Sequence, residues 1–108
     1  MTVYCIALIN INDRERYDIY RQGFREIFSR YAGKLVSVEE EPDVKEGVWP
    51  YTRTVLMEFP DSASFDAWYN SSDYQTLAQH RQAAAELHTL HGISVRVTEL
   101  SVPIQDLE

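Results

Sequence analysis

The chain has 108 residues, 44% of them hydrophobic, with only four glycines and four prolines, a composition that suits one folded domain and shows no low-complexity stretch. Ten basic against seventeen acidic residues leave a formal charge of −7, which repels phosphate backbones and anionic lipid and argues against a nucleic-acid or membrane partner. The single cysteine, Cys5, excludes an internal disulfide and a multi-thiolate metal site.

No apolar run approaches the roughly 20 residues of a membrane span. Met1 to Asn10 lacks the basic start and small-residue cleavage site of a signal peptide, so a cytoplasmic location is expected. Cys5 sits in an apolar strand pattern and reads as an inert core thiol.

Val3 to Ile11 is a run of β-branched and aromatic residues with both alternating faces apolar, a strand covered on both sides. Asn12-Asp13-Arg14-Glu15 follows as a capping box, with Asn12 expected to accept from the first-turn amides. Tyr17, Tyr20, Phe24, Ile27, Phe28 and Tyr31 then form one apolar stripe at helical period. Gly33 is expected to end this helix in the left-handed conformation. Lys34 to Glu41 is a second strand whose terminal acids, Glu39 to Glu41, read as a solvated end rather than a metal site.

Pro42 to Tyr51 is a longer loop, of the kind that is either functional or loosely ordered. In the third strand, Thr52 to Phe59, Arg53, Val55, Met57 and Phe59 share one face, and Thr54, Leu56 and Glu58 the other. Pro60-Asp61-Ser62 stops it and caps a helix whose stripe is Phe65, Trp68 and Tyr69. Asn70 to Asp73 breaks that helix, and Ser72 with Gln75 is expected to cap its restart. Tyr74, Leu77, Ala78, Arg81, Ala84, Ala85 and His88 continue one broad face of the helix, and Ala83-Ala84-Ala85 permits close helix packing. Gly92 is expected to turn the chain into a last strand, Ile93 to Leu100. A single domain over 1–100 and a C-terminal tail over 101–108 are thus expected.

The order β-α-β-β-α-β is the split β-α-β arrangement, with helices on one face of an antiparallel four-stranded sheet. Because the first strand is apolar on both sides, the open face is expected to meet a second copy, giving a homodimer with sheets facing.

Several blocks together carry a resemblance. Asn12-Asp13, Tyr31-Ala32-Gly33-Lys34, Glu46-Gly47-Val48-Trp49-Pro50, Arg53 to Pro60, and Ala67 to Tyr74 with Arg81 resemble the domain of unknown function 1330 family over about Thr2 to Val97. Members often carry a glycine pair where this chain has Ala32-Gly33, a departure confined to the helix cap. The resemblance implies a ferredoxin-like α+β protomer in a dimeric α/β barrel, the assembly also used by small cofactor-free monooxygenases, muconolactone isomerases and haem-binding relatives. It implies no particular activity.

Arg53, beside Trp49 and Tyr51, is placed either to hold a ligand carboxylate or to pair with Glu46 or Asp61. Arg81, on the apolar side of its helix, needs a partner, for which a carboxylate or helix end is the simpler choice. Glu58 suits either a general base or a pair with Arg96, the pair being the simpler. Trp49, Trp68, Tyr69 and Tyr74 either line a pocket for a planar ligand or belong to the core. His80, His88 and His91 make no metal motif, with His88 and His91 expected to straddle a helix end. Ser71 and Ser72 lie in no nucleophile elbow.

The ligand-binding candidates are therefore Arg53, Trp49, Glu46, Tyr69, Tyr74, Arg81 and Glu58; no catalytic residue is assigned, and neither a metal nor a cofactor is expected. The expected function is binding of a small apolar or aromatic carboxylate-type molecule in a cleft near the Trp49 loop, with cofactor-free acid/base or oxygenase-like chemistry. The alternative is a non-catalytic dimeric module in which Trp49 and the Val102-Pro103-Ile104 tail anchor an interface.

Overall fold

A computed structural model describes residues 1–94. Strand β1 (Val3–Ile11) leads to helix α1 (Arg14–Phe28), a 3-10 turn (Ser29–Tyr31), strands β2 (Lys34–Glu39) and β3 (Arg53–Phe59), helices α2 (Ser62–Asn70) and α3 (Ser72–Ala84), and strand β4 (Ala85–Ser94). The strands pair antiparallel in the order β2-β3-β1-β4, with helices on one face, the α+β arrangement expected.

The alternation along β1 and β3 fixes which face is which. Val3, Cys5, Ala7 and Ile9 are buried, as are Val55, Met57 and Phe59, and these look toward the helices. Tyr4, Ile6 and Leu8 with Thr54, Leu56 and Glu58 share the open face and are only half-buried. Trp68 sits at the centre of the covered side, fully buried, with Phe24, Phe28, Phe59, Phe65 and Tyr74 packed around its ring. Burial also pushes the Cys5 thiol up to about 12, so it stays protonated and inert.

Two of the three helix caps sit one residue away from their expected places. Asp13, not Asn12, caps α1 by accepting from the Arg16 amide at 3.2 Å, while the Asn12 amide donates to the Ala84 carbonyl at 2.7 Å. Asp61 caps α2 as expected, accepting from the Ser64 amide at 2.7 Å. Ser71, not Ser72, caps α3: its Oγ accepts from the Tyr74 amide at 3.1 Å and donates to the Trp68 carbonyl at 2.8 Å. Gln75 reaches back to the Tyr69 carbonyl instead of closing a capping box.

Before β2 the left-handed residue is Ala32 (φ 59°), not Gly33. Gly33 is required for room: a Cβ there would come within 2.4 Å of the Phe28 ring and 2.9 Å of the Phe59 ring.

The largest correction concerns the last element. Helix α3 stops at Ala84, and β4 begins at Ala85, well before the expected Ile93. His88 and His91 therefore both lie on a strand rather than astride a helix end. The alanine run favours helix locally, but β4 pairs with β1 from Ile11 opposite Ala85 to Val3 opposite Ser94, with one register shift at His88. That ladder overrides propensity. Gly92 lies inside this strand, not at a turn; a Cβ there would approach the Phe65 and Val3 side chains to 2.9 Å. The remainder of the expected strand, Val95 to Leu100, with Arg96 and the tail from Ser101 to Glu108, lies outside the described residues.

Candidate functional site

Between helices α1 and α3 and the β2 side of the sheet lies a cleft of about 710 Å³. Its floor is Ala7 and Ile9 of β1 with Val55 and Met57 of β3, its roof is Tyr17, Tyr20 and Phe24 of α1, and Tyr74 and Arg81 of α3 close one side. Leu35 and Val38 of β2 line it too. Leu35 pairs with Met57 and Val38 with Val55, so both point to the helix side, yet both remain exposed.

Three tyrosines and two arginines carry the polar chemistry of this cleft. Tyr20 and Tyr74 meet hydroxyl to hydroxyl at 2.8 Å. The Arg81 guanidinium lies 5.8 Å from the Tyr20 ring centroid, and that of Arg53 lies 5.4 Å from the Tyr17 ring. Arg81 is only 3% exposed and is the one buried charged residue among those described.

Burial works against its charge, but the Tyr74 and Tyr20 hydroxyls more than offset this and hold the guanidinium above its ordinary value. Burial raises all three phenols, that of Tyr20 furthest, with only partial relief from Arg53 at Tyr17 and from Arg81 at Tyr74. At neutral pH the site therefore presents fixed cations and neutral hydroxyls, which are donors to an oxyanion rather than bases.

The ion pairs expected for Arg53 and Arg81 do not form among the described residues. Arg53 pairs with neither Glu46 nor Asp61; its Nη1 lies 3.5 Å from Glu40 Oε1. Glu40 Oε2 is held more tightly by Arg14 Nη2, at 2.8 Å, so this acid bridges the start of α1 to the start of β3 rather than facing solvent alone. Arg81 has no carboxylate within ion-pair distance among the described residues, and its Nε, like that of Arg53, is buried without a hydrogen-bond partner. A buried, unpaired donor on a cation is costly in a structural role, and both residues line one cavity.

Of the candidates read from the sequence, Arg53, Arg81 and Tyr74 come together in the cleft. Trp49 does not line it: 42% exposed, it donates from Nε1 to Thr54 Oγ1 at 3.1 Å and meets Tyr51 edge to face. Glu46 is exposed on the same loop beside Gly47, whose φ of 81° makes the turn. Tyr69 packs against Trp68 and Tyr74 outside the cleft. Glu58 lies on the open sheet face, where its hydrogen bond and charge raise the Tyr4 phenol; Arg96 is outside the described residues. His80 accepts at Nδ1 from Arg16 Nε at 3.1 Å.

Tyr17, Tyr20 and Glu40 were not singled out by sequence reasoning. A signal was present in the α1 stripe, whose N-terminal rings carry hydroxyls (Tyr17, Tyr20) and whose later ones do not (Phe24, Phe28). Hydroxyls within an apolar stripe mark where it meets something polar. Among the described residues, no group of His, Cys, Asp and Glu is placed to hold a metal, and no helix is long and apolar enough to cross a membrane.

Comparison with solved structures places the fold among ferredoxin-like proteins. A protein of unknown function from Rhodopseudomonas palustris superposes with a TM-score of 0.74 at 19% identity, over 90% of this chain and 84% of that one. SnoaB, a cofactor-independent oxygenase from Streptomyces nogalater, gives 0.65 at 11% identity over 93% and 98%. A dimeric ferredoxin-like protein of unknown function from Jannaschia sp. CCS1 gives 0.63 at 16% identity over 88% and 100%. At these identities the likeness is one of fold alone. No curated protein matches the chain in sequence. The sequence pattern described as domain of unknown function (DUF1330) matches residues 2–91, most of the chain, and on that match the chain belongs to the DUF1330 family.

Proposed function

We propose that this protein binds a small, largely apolar or aromatic molecule bearing a carboxylate or enolate, with its body between α1 and the sheet and its anionic oxygen on Arg81 and the Tyr20–Tyr74 hydroxyl pair. The observation that carries this reading is Arg81: almost fully buried, without a carboxylate partner among the described residues, and with its Nε unpaired beside a cavity of small-molecule size. A fixed guanidinium and neutral phenols in a desolvated site stabilise negative charge as it develops on oxygen, which is what cofactor-free proton transfer or oxygenation of an enolisable substrate requires.

The test is a thermal-shift titration with benzoate, repeated on Arg81→Met and Arg53→Ala. Stabilisation of the native chain that is lost in Arg81→Met supports the site, and equal stabilisation of both removes it.

A homodimer through the open sheet faces is the second part of the proposal. Ile6, Leu8 and Leu56 are half-buried and Ile93 is 46% exposed on that face, an apolar surface that a second copy would cover. Structural neighbours described as dimers support it. A cytosolic location is also proposed, supported by the free, buried Cys5.

A further inference from the structure

The cleft is lined by two guanidiniums, and in each the Nε is buried without a hydrogen-bond partner in the chain. Nε and the adjacent Nη of an arginine form the side that grips a carboxylate with two parallel hydrogen bonds. In both Arg53 and Arg81 the Nε is buried and unpartnered, so neither grip is filled by the chain itself. Arg53 shows what its position accepts, because a carboxylate already lies against it. Glu40 Oε1, at 3.5 Å from Nη1, is too far for a good hydrogen bond, and the other oxygen of the same acid is committed to Arg14 at 2.8 Å. The remaining acid of the lining, Asp18, pairs with Arg21 at 3.3 Å.

The two cations are also close enough to act on one phenol. Tyr17 stacks beneath Arg53 and its hydroxyl feels both Arg53 and Arg81. A ligand with one acidic group that satisfied Arg81 would leave Arg53 with its contact to Tyr17, its long, shared contact to Glu40 and an unpartnered Nε. A ligand with two would complete both.

We infer that the cleft takes a ligand with two acidic groups on an aromatic or similarly flat apolar body, one acid gripped by Arg81 and the second displacing Glu40 from Arg53. This rests on the cleft being the carboxylate site proposed above. Glu40 keeps its bond to Arg14 when displaced, so the exchange replaces a long contact by a two-point one and leaves no acid unpaired. Tyr17 lines the same cleft, with the Arg53 guanidinium 5.4 Å from its ring centroid.

The test is calorimetric titration of the whole chain with benzoate, phthalate, isophthalate and terephthalate. At least one diacid should bind about tenfold or more tightly than benzoate, the worth of one further charge-assisted two-point contact. Arg53→Met should erase that advantage, and Glu40→Gln should strengthen the same diacid by about twofold to fivefold, the worth of an exposed ion pair. Urea midpoints of the variants check folding, and Arg53→Lys, which keeps the charge but loses the two-point grip, should also lose most of the advantage. Benzoate binding with no diacid exceeding it overturns the two-acid inference and leaves the carboxylate site standing. A diacid advantage that survives in Arg53→Met overturns the assignment of the second grip. Failure of all four ligands to bind removes both readings.

Discussion

The hydroxyls of Tyr20 and Tyr74 lie 2.8 Å apart, one from the middle of α1 and one from the first turn of α3, both buried. This polar contact at the helix–helix interface sits among rings that otherwise pack edge to face, Tyr20 with Tyr74 and Phe24 with Tyr74. It fixes how far α1 stands from α3 at the point where the cleft opens between them and the sheet.

Removing both hydroxyls should therefore cost less than the sum of removing each alone. Tyr74→Phe leaves the Tyr20 hydroxyl buried without this partner and is expected to destabilise by about 1–3 kcal/mol. Tyr20→Phe with Tyr74→Phe together should cost less than the sum of the single changes. Urea unfolding of the four proteins measures the coupling, and strict additivity would show that the contact contributes nothing.

Stability should fall on the alkaline side. The Cys5 thiol, raised from 9.0 to about 12, and the phenols of Tyr17, Tyr20 and Tyr74, raised from 10.0, hold their protons in the folded chain at pH values where the unfolded chain has released them. Their contribution is complete below about pH 9 and is lost as pH rises toward the folded values. The Cys5 part is about 1.4 kcal/mol per pH unit above 9. Urea unfolding at pH 8, 9 and 10 should show this slope, and Cys5→Ala should lack the portion that sets in first. An unchanged slope in the variant would place the effect elsewhere.

The turn before β2 offers opposite outcomes at adjacent residues. Ala32→Gly relieves a left-handed alanine and should raise stability by about 0.5–1 kcal/mol. Gly33→Ala forces a methyl against the Phe28 and Phe59 rings and should cost about 1–3 kcal/mol. Thermal melts of the two variants shifting in the same direction would contradict this division of roles.

The framework was legible because periodicity is local. The covered face of β3 and the stripe of α1 follow from spacing alone, and the break at Asn70 to Asp73 from its turn residues. The position of β4 was not legible, since Ala83 to Ala85 reads as helix until the β1 partner is in place. Arg53 and Arg81 stood out as charges on apolar faces. Glu40 did not, because an acid at a strand end looks solvated unless one knows that Arg14 and Arg53 converge on it. Spacing along a chain cannot report a meeting of three separate elements.

Assembly can be tested on the open face. Size-exclusion chromatography with light scattering should give a dimer for the native chain and a monomer for Leu8→Lys combined with Leu56→Lys, both on the half-buried side of the sheet. A native chain that is monomeric at micromolar concentration would contradict the sheet-to-sheet dimer.

Ser71 ends one helix and starts the next with extended backbone angles, φ −65° and ψ 144°. The winding of α3 restarts there, while the Trp68 and Tyr74 rings on either side pack with centroids 4.2 Å apart. Tyr74 and Arg81, seven positions apart, share a face because of the winding within α3 alone. Lengthening α2 by a residue would slide Trp68 or Phe65 off the sheet yet leave the phenol and guanidinium aligned with each other. The same insertion between Tyr74 and Arg81 would rotate one away from the other by about 100°. The serine thus joins the segment that carries Trp68 to the one that carries Tyr74 and Arg81, and through the Trp68–Tyr74 contact the core and the site share one ring.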